Sequence, residues 1–187
     1  MSWLPRFATE HDIPALEALI PLSVRVLQAP YYSSAQMAAA IGPVFVVDRQ
    51  LILDGTFFVV ADKGNIVGCG GWSKRKKVFG SSQEHPGDDE LLNPAKDAAR
   101  IRAFFVHPEW ARQGIGRSIL EASERGAIKA GFQKAELVAT LAGEPLYTSH
   151  GYRVIERYEA PMADGLNLPV VRMAKDFAVT TISNKLK

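Results

Sequence analysis

The stretch from Arg100 to Arg125, RIRAFFVHPEWARQGIGRSILEASER, constrains what this chain can fold into more than any other. Ile101, Ala103 and Phe105 alternate with Arg102, Phe104 and Val106, a period of two that predicts a strand. Pro108 ends it by removing a ladder donor. A short basic loop leads to Gly114-Ile115-Gly116. Beyond it Ile115, Ile119 and Ala122 recur at helical spacing, with Leu120 and Ala127 widening the apolar stripe. The expected unit is strand, glycine turn, helix.

Such a unit has a physical use. The first four amides of a helix have no partner inside it, and with the helix dipole they favour a phosphate. Glycines at 114 and 116 carry no Cβ to hold an anion away from the backbone. Arg112 and Arg117 flank the turn with positive charge. The same pattern also serves as a tight turn with no ligand at all, since Gly-x-Gly alone is common.

The surrounding residues are more specific. VHPEWARQGIGRSIL resembles the acetyl-CoA-binding segment of the GCN5-related N-acetyltransferases, the GNAT superfamily: a Val-x-Pro strand end, an Arg/Gln-x-x-Gly-x-Gly/Ala loop and an amphipathic helix. Residues 135–140, AELVAT, read as the next strand. Glu144-Pro145-Leu146-Tyr147, closed by Gly151-Tyr152, is similar to the family's following helix. The resemblance covers roughly residues 3 to 177, by element order outside the motifs. One departure lies in the loop, where Ala111 stands at the family's Arg/Gln position and the arginine comes one residue later.

The resemblance implies a mixed α/β (α+β) fold. Its central twisted sheet is mostly antiparallel, flanked by helices, and splayed between the fourth and fifth core strands. It implies acetyl-CoA as acyl donor, bound by Phe105, Val106 and His107 at the strand end and by Arg112, Gln113, Gly114, Ile115, Gly116, Arg117 and Ser118 in the loop. Tyr147 becomes the general acid, because a phenol with an unperturbed pKa of about 10 stays protonated at neutral pH. The expected reaction is direct transfer of acetyl to a primary amine of a small molecule or peptide. An acyl-CoA-binding sensor of the same fold without turnover is the alternative. Many family members carry a glutamate on the central strand, whereas this chain has Arg100 and Arg102. That leaves His107, Glu144, His150, His85 or a water chain for the proton. A third reading, a mononucleotide-binding domain, lacks both Gly-Lys-Ser/Thr and Gly-x-Gly-x-x-Gly.

Composition excludes little else. With 187 residues the chain is expected to form one domain, residues 1–177, followed by a polar tail at 178–187. Its 47% hydrophobic and 22% charged content is that of a globular protein. A net charge of +2 offers no argument for nucleic acid or membrane as partner. A single cysteine, Cys69, excludes an internal disulfide and an all-cysteine metal site, so no metal is expected. No signal-like or membrane-spanning run is present, which predicts a cytoplasmic protein, and a homodimer is compatible with it.

Along the remaining chain, Trp3 to Ala8 reads as a strand. Thr9 to Asp12 caps a helix that Pro21 is expected to break or kink. Ser33-Ser34 starts a second helix through Ile41. In the resembled family this helical pair overlies the acceptor site, which makes Tyr31 and Tyr32 candidates to line it; packing on the sheet is their other reading. Residues 44–47 are expected as a short strand broken by Asp48-Arg49. Thr56 to Ala61 and Ile66 to Lys74 form a hairpin, its second strand thinned by Gly68, Gly70 and Gly71, which suggests close approach of another element. Cys69 there is either an acyl-carrying nucleophile or an inert core residue. Residues 78–97 form a long loop with acidic Glu84, Asp88, Asp89 and Glu90, either solvated or attracting a cationic acceptor. Strands at 152–159 and 168–176, joined through Asp164-Gly165, close the chain.

Overall fold

The computed structural model describes residues 3–77, 90–162 and 165–177. Seven strands, β1 (Arg6–Phe7), β2 (Phe57–Asp62), β3 (Asn65–Ser73), β4 (Ala99–Val106), β5 (Lys134–Thr140), β6 (Arg153–Pro161) and β7 (Asn167–Asp176), form one sheet in the order β1-β2-β3-β4-β5-β7-β6. Every pairing is antiparallel except β4 with β5. The helices are α1 (Ile13–Leu27), α2 (Ser34–Ala40), α3 (Arg49–Leu53), α4 (Ile115–Lys129) and α5 (Glu144–Ser149). This is the mixed, mostly antiparallel α/β sheet expected from the sequence.

Two hydrophobic clusters cover opposite faces of the sheet. Ile115, Ile119 and Leu120 of α4 pack on one face, with Phe58, Val60 and Val67. Leu16, Ile20 and Val24 of α1 pack on the other, with Phe57, Val59 and Cys69. Adjacent residues of β2 therefore enter different clusters, which explains its unbroken apolar run. Gly68 of β3 is small because α4 crosses it: a Cβ there would land on Ile115 Cγ2.

The parallel pair is short. Only Ala99 with Ala135 and Arg100 with Glu136 are in register, after which β4 and β5 part. Glu136 pairs with Arg100 at 2.8 Å and with Arg172 of β7, so charge ties three strands together at the closed end of the split. Just above it β4 carries a bulge. Ala103 sits at φ 61°, opposite a register shift between Cys69 and Gly71. An extra residue reverses the side-chain phase. Ile101 and Phe105, which strict alternation puts on one face, lie in opposite clusters, and Phe104 and Val106 turn toward the α4 side.

Other expectations are corrected. α1 runs unbroken through Pro21, because its buried face (Leu16, Leu19, Ile20, Ser23, Val24) holds the helix on the sheet. β1 is two residues long rather than six. No strand forms at 44–47. Phe45 makes an isolated bridge with Ile41, and Asp48 caps α3 instead of breaking a strand. α2 begins as expected, its Ser33 hydroxyl accepting from the Gln36 amide while Gln36 accepts from the Ser33 amide. Of the long loop, residues 78–89 lie outside the described residues, with Glu84, His85, Asp88 and Asp89; so does Asp164. Glu90 is described and pairs with Lys76 at 2.5 Å.

Candidate functional site

The parting of β4 and β5 opens a cavity of about 720 Å³ that passes through the sheet. Its walls come from both clusters: Ile115, Ala139 and Tyr147 belong to the α4 side, Phe45, Leu168 and Val170 to the α1 side. A split sheet is what lets one cavity touch both faces.

At the α4 end stands the glycine turn. Gly114 caps α4 at φ 86°, and Arg112 also adopts a positive φ of 63°. The amides of residues 112–117 make no hydrogen bond among the described residues; the first helical amide to do so is that of Ser118, to Gly114. Ala111, Arg112, Gly114, Ile115, Gly116 and Arg117 line the cavity. The turn is held from outside. Trp3 Nε1 donates to the Gln113 carbonyl at 2.8 Å, and Gln113 Nε2 donates to the Glu109 carbonyl at 3.0 Å. Gln113 and Ser118 are not among the lining residues; the Ser118 hydroxyl donates to Ile115. His107 also lies off the cavity, its ring accepting from the Glu109 amide and packed edge-on against Trp110.

The β4 backbone contributes unequally. Phe105 is in register with Cys69, and His107 two positions on donates to Val67, so the Phe105 main chain faces β3 rather than the split. Val106 has the opposite phase. Its amide donates across to Ser23 Oγ of α1 at 3.3 Å, and both residues line the cavity. Of the two backbone donors expected from the sequence, only Val106 is turned to the opening.

Tyr147 sits on α5, 7% exposed, with its ring edge-on to Phe104 and Tyr152. Burial pushes its phenol pKa above the ordinary value, which keeps it protonated. Its hydroxyl makes no hydrogen bond among the described residues, and Tyr147 lines the cavity.

The tyrosines of the α1–α2 connection do not line the cavity. Tyr31 is about half exposed, and the Tyr32 hydroxyl is committed, donating to Pro169 at 2.7 Å and accepting from the Leu141 amide at 2.9 Å. Of the proton acceptors considered, Glu144 is bound by Arg157 and lies off the cavity, while His150 lines it, Nδ1 donating to the Leu146 carbonyl at 2.8 Å. Burial pushes the Cys69 thiol up to about 12, which removes it as a nucleophile.

Three lining residues had no sequence signal as site residues. Arg102 and Asp48 form a buried pair at 2.5 Å, and Arg102 also donates to the Lys77 carbonyl. Gln28 closes α1, with its Oε1 buried. The sequence offers Asp48 only as a strand breaker, and its pairing with a distant arginine has no local signal.

The family profile described as "Acetyltransferase (GNAT) domain" matches residues 53–154, more than half of the chain. The chain belongs to the GNAT acetyltransferase family. No curated protein sequence matches it. Among solved structures it is similar to a GCN5-related N-acetyltransferase from Rhodopseudomonas palustris (20% identity, 95% of this chain and 97% of that chain, TM-score 0.70). It is also similar to the PaiA N-acetyltransferase from Thermoplasma acidophilum, solved with coenzyme A (16%, 95% and 100%, TM-score 0.64). A third is a ribosomal-protein-alanine N-acetyltransferase from Brucella melitensis (18%, 93% and 99%, TM-score 0.61). At these identities the likeness is one of fold, and it extends over nearly the whole GNAT chain. Among the described residues no three side chains cluster as metal ligands, and no helix is long and apolar enough to cross a membrane.

Proposed function

We propose that this GNAT protein is an N-acetyltransferase that uses acetyl-CoA to acetylate a primary amine of a small molecule or peptide by direct attack. The observation that carries the reading is the single cavity joining the uncommitted amides of residues 112–117 to the Tyr147 hydroxyl. Those amides, the α4 dipole and the cations Arg112 and Arg117 suit a diphosphate. The coenzyme A held by the Thermoplasma acidophilum relative supports the same donor here.

The residues divide the work. The loop anchors the diphosphate, and the split admits the pantetheine arm beside β4. The Val106 amide then donates to the thioester oxygen in exchange for Ser23, whose hydroxyl proton is available as a second donor. A preorganised donor at developing negative charge contributes ~3 kcal/mol. As the amine nitrogen bonds to the thioester carbon and the carbon–sulfur bond breaks, Tyr147 gives its proton to the departing sulfur. The amine's own proton leaves to solvent, and Tyr147 is reprotonated from there. Holding both reactants in one cavity supplies much of the remaining acceleration.

Thiol release from acetyl-CoA, measured against a panel of amines, tests this. Amine-dependent release is expected. Tight acetyl-CoA binding with no amine-dependent release would make the protein an acyl-CoA-binding module instead.

A further inference from the structure

The two ends of the cavity differ in chemistry. Arg112 and Arg117 stand with the free amides at the loop end. On the α1 side the wall is apolar, built from Leu27, Val44, Phe45, Met162, Leu168 and Val170. Asp48 is the only carboxylate lining the cavity among the described residues. Arg102 holds it at 2.5 Å, with the two side chains 3% and 6% exposed, so the pair adds no net charge to this wall. A ligand carrying an extra ammonium or carboxylate would lose hydration here and, among the described lining residues, meet only a charge pair already formed.

Beside the Asp48–Arg102 pair and Ser23, Gln28 also lines this region. Gln28 is 7% exposed, and its Oε1 is buried without a hydrogen-bond partner. The backbone of Gln28 is fully used: its amide donates to Val24 at 3.1 Å, and its carbonyl accepts from the amides of Tyr31 and Tyr32 at 2.9 and 3.1 Å. The residue is therefore fixed in place while its side-chain amide remains uncommitted at the cavity. A buried amide oxygen without a donor is rare in native proteins, and a ligand that brings the donor relieves it.

We infer that this end selects the acceptor, and that the acceptor is a primary amine on an uncharged apolar body, with a carboxamide-type group that pairs with Gln28. The inference rests on the N-acetyltransferase reading for where the amine goes. The apolar wall takes the body, and Gln28, with one donor and one acceptor face, matches a carboxamide in both directions. Polyamines and lysine-rich peptides carry further cations, and among the described residues no lining carboxylate other than the paired Asp48 meets them. Free amino acids carry a carboxylate that the wall does not pair.

The test uses the full chain saturated with coenzyme A and measures amine affinity by calorimetry, without turnover. The probes are phenylalaninamide, 2-phenylethylamine, phenylalanine and spermidine. Phenylalaninamide is expected to bind about tenfold more tightly than 2-phenylethylamine, the difference made by one satisfied buried hydrogen bond, and both more tightly than phenylalanine or spermidine. In Gln28→Leu the ratio between the first two is expected to fall to about one. Gln28→Glu, which puts a carboxylate on the wall, is expected to move preference toward spermidine. Tighter binding of spermidine or phenylalanine by the wild type, binding of none of the four, or a ratio unmoved by both variants would overturn the inference. Thiol release from acetyl-CoA with the same amines separates the two claims. The expected binding order without release contradicts the transferase reading alone, and release confined to spermidine contradicts the acceptor class alone.

Discussion

Replacing Trp3 with phenylalanine removes one hydrogen-bond donor and leaves most of an aromatic ring in place. The indole Nε1–H donates to the carbonyl of Gln113, 110 positions away, at 2.8 Å. That carbonyl shares a peptide plane with the Gly114 amide, and the two point in opposite directions across a trans peptide. By holding the carbonyl, Trp3 turns the Gly114 N–H toward the cavity that Gly114 lines. The turn does not hold this orientation cheaply, since a non-glycine residue such as Arg112 at φ 63° is disfavoured by ~1 kcal/mol. The lost hydrogen bond is worth ~1 kcal/mol, and an amide–phosphate bond that is charge-assisted ~1.5–3 kcal/mol. Partial loss of the second through loss of the first gives ~1.5 kcal/mol, or about tenfold in Kd for coenzyme A. Calorimetry with coenzyme A and with S-acetyl-pantetheine, which lacks the diphosphate, reads the effect. The variant is expected to bind coenzyme A about tenfold more weakly and S-acetyl-pantetheine within about twofold of the wild type. An equal loss for both ligands, or no loss for coenzyme A, would refute the reasoning.

Three further predictions concern the catalytic, buried-charge and N-terminal groups. Tyr147→Phe keeps the ring contacts with Phe104 and Tyr152 and removes the proton donor, so kcat should fall at least ~100-fold with KM for acetyl-CoA within about twofold, by steady-state kinetics. Asp48→Asn breaks the buried Asp48–Arg102 ion pair and should cost ~3 kcal/mol in urea denaturation. The Arg6 guanidinium, donating at 2.7 and 2.8 Å, holds the Asp12 carboxyl down to about 2. The folded value is depressed, so the stabilisation is complete above the unfolded value of about 3.8 and is lost as pH falls through about 2. Because Arg6 is half exposed, the pair is worth ~1–2 kcal/mol at neutral pH, and Asp12→Asn should remove both that stability and its acid dependence in thermal melts.

The strand–turn–helix unit and the two elements after it were legible because their grammar is local. Pro108 and Gly114 mark ends, and the apolar periods after them agree with the burial observed for α4 and β5. What escaped the sequence is what depends on distant partners. Pro21 argued for a break in α1, yet packing on the sheet outweighs one lost helical bond. α3 is too short, at five residues, to show a period, and Asp48, which caps it, reads in the sequence as a strand breaker. The bulge at Ala103 reverses the phase of β4, and nothing in Arg-Ala-Phe announces that. Tyr32 is a site candidate in the sequence because the helical pair carrying it overlies the acceptor site in the resembled family. Its hydroxyl instead joins β7 to the residue after β5. Trp3, Ser23 and Gln28 reach the site only through tertiary structure, and no spacing in the sequence connects them to the glycine turn.

The account depends on main-chain amides at the start of α4 gripping a diphosphate, so that the acyl end of the same molecule reaches Tyr147. A crystal structure with acetyl-CoA measures this directly. Diphosphate oxygens ~3 Å from the amide nitrogens of Gly114 and Gly116, with the thioester in the split beside Val106 and its sulfur near the Tyr147 hydroxyl, are the expected result. Acetyl-CoA bound with those amides facing solvent, or with its thioester outside the split, would contradict it.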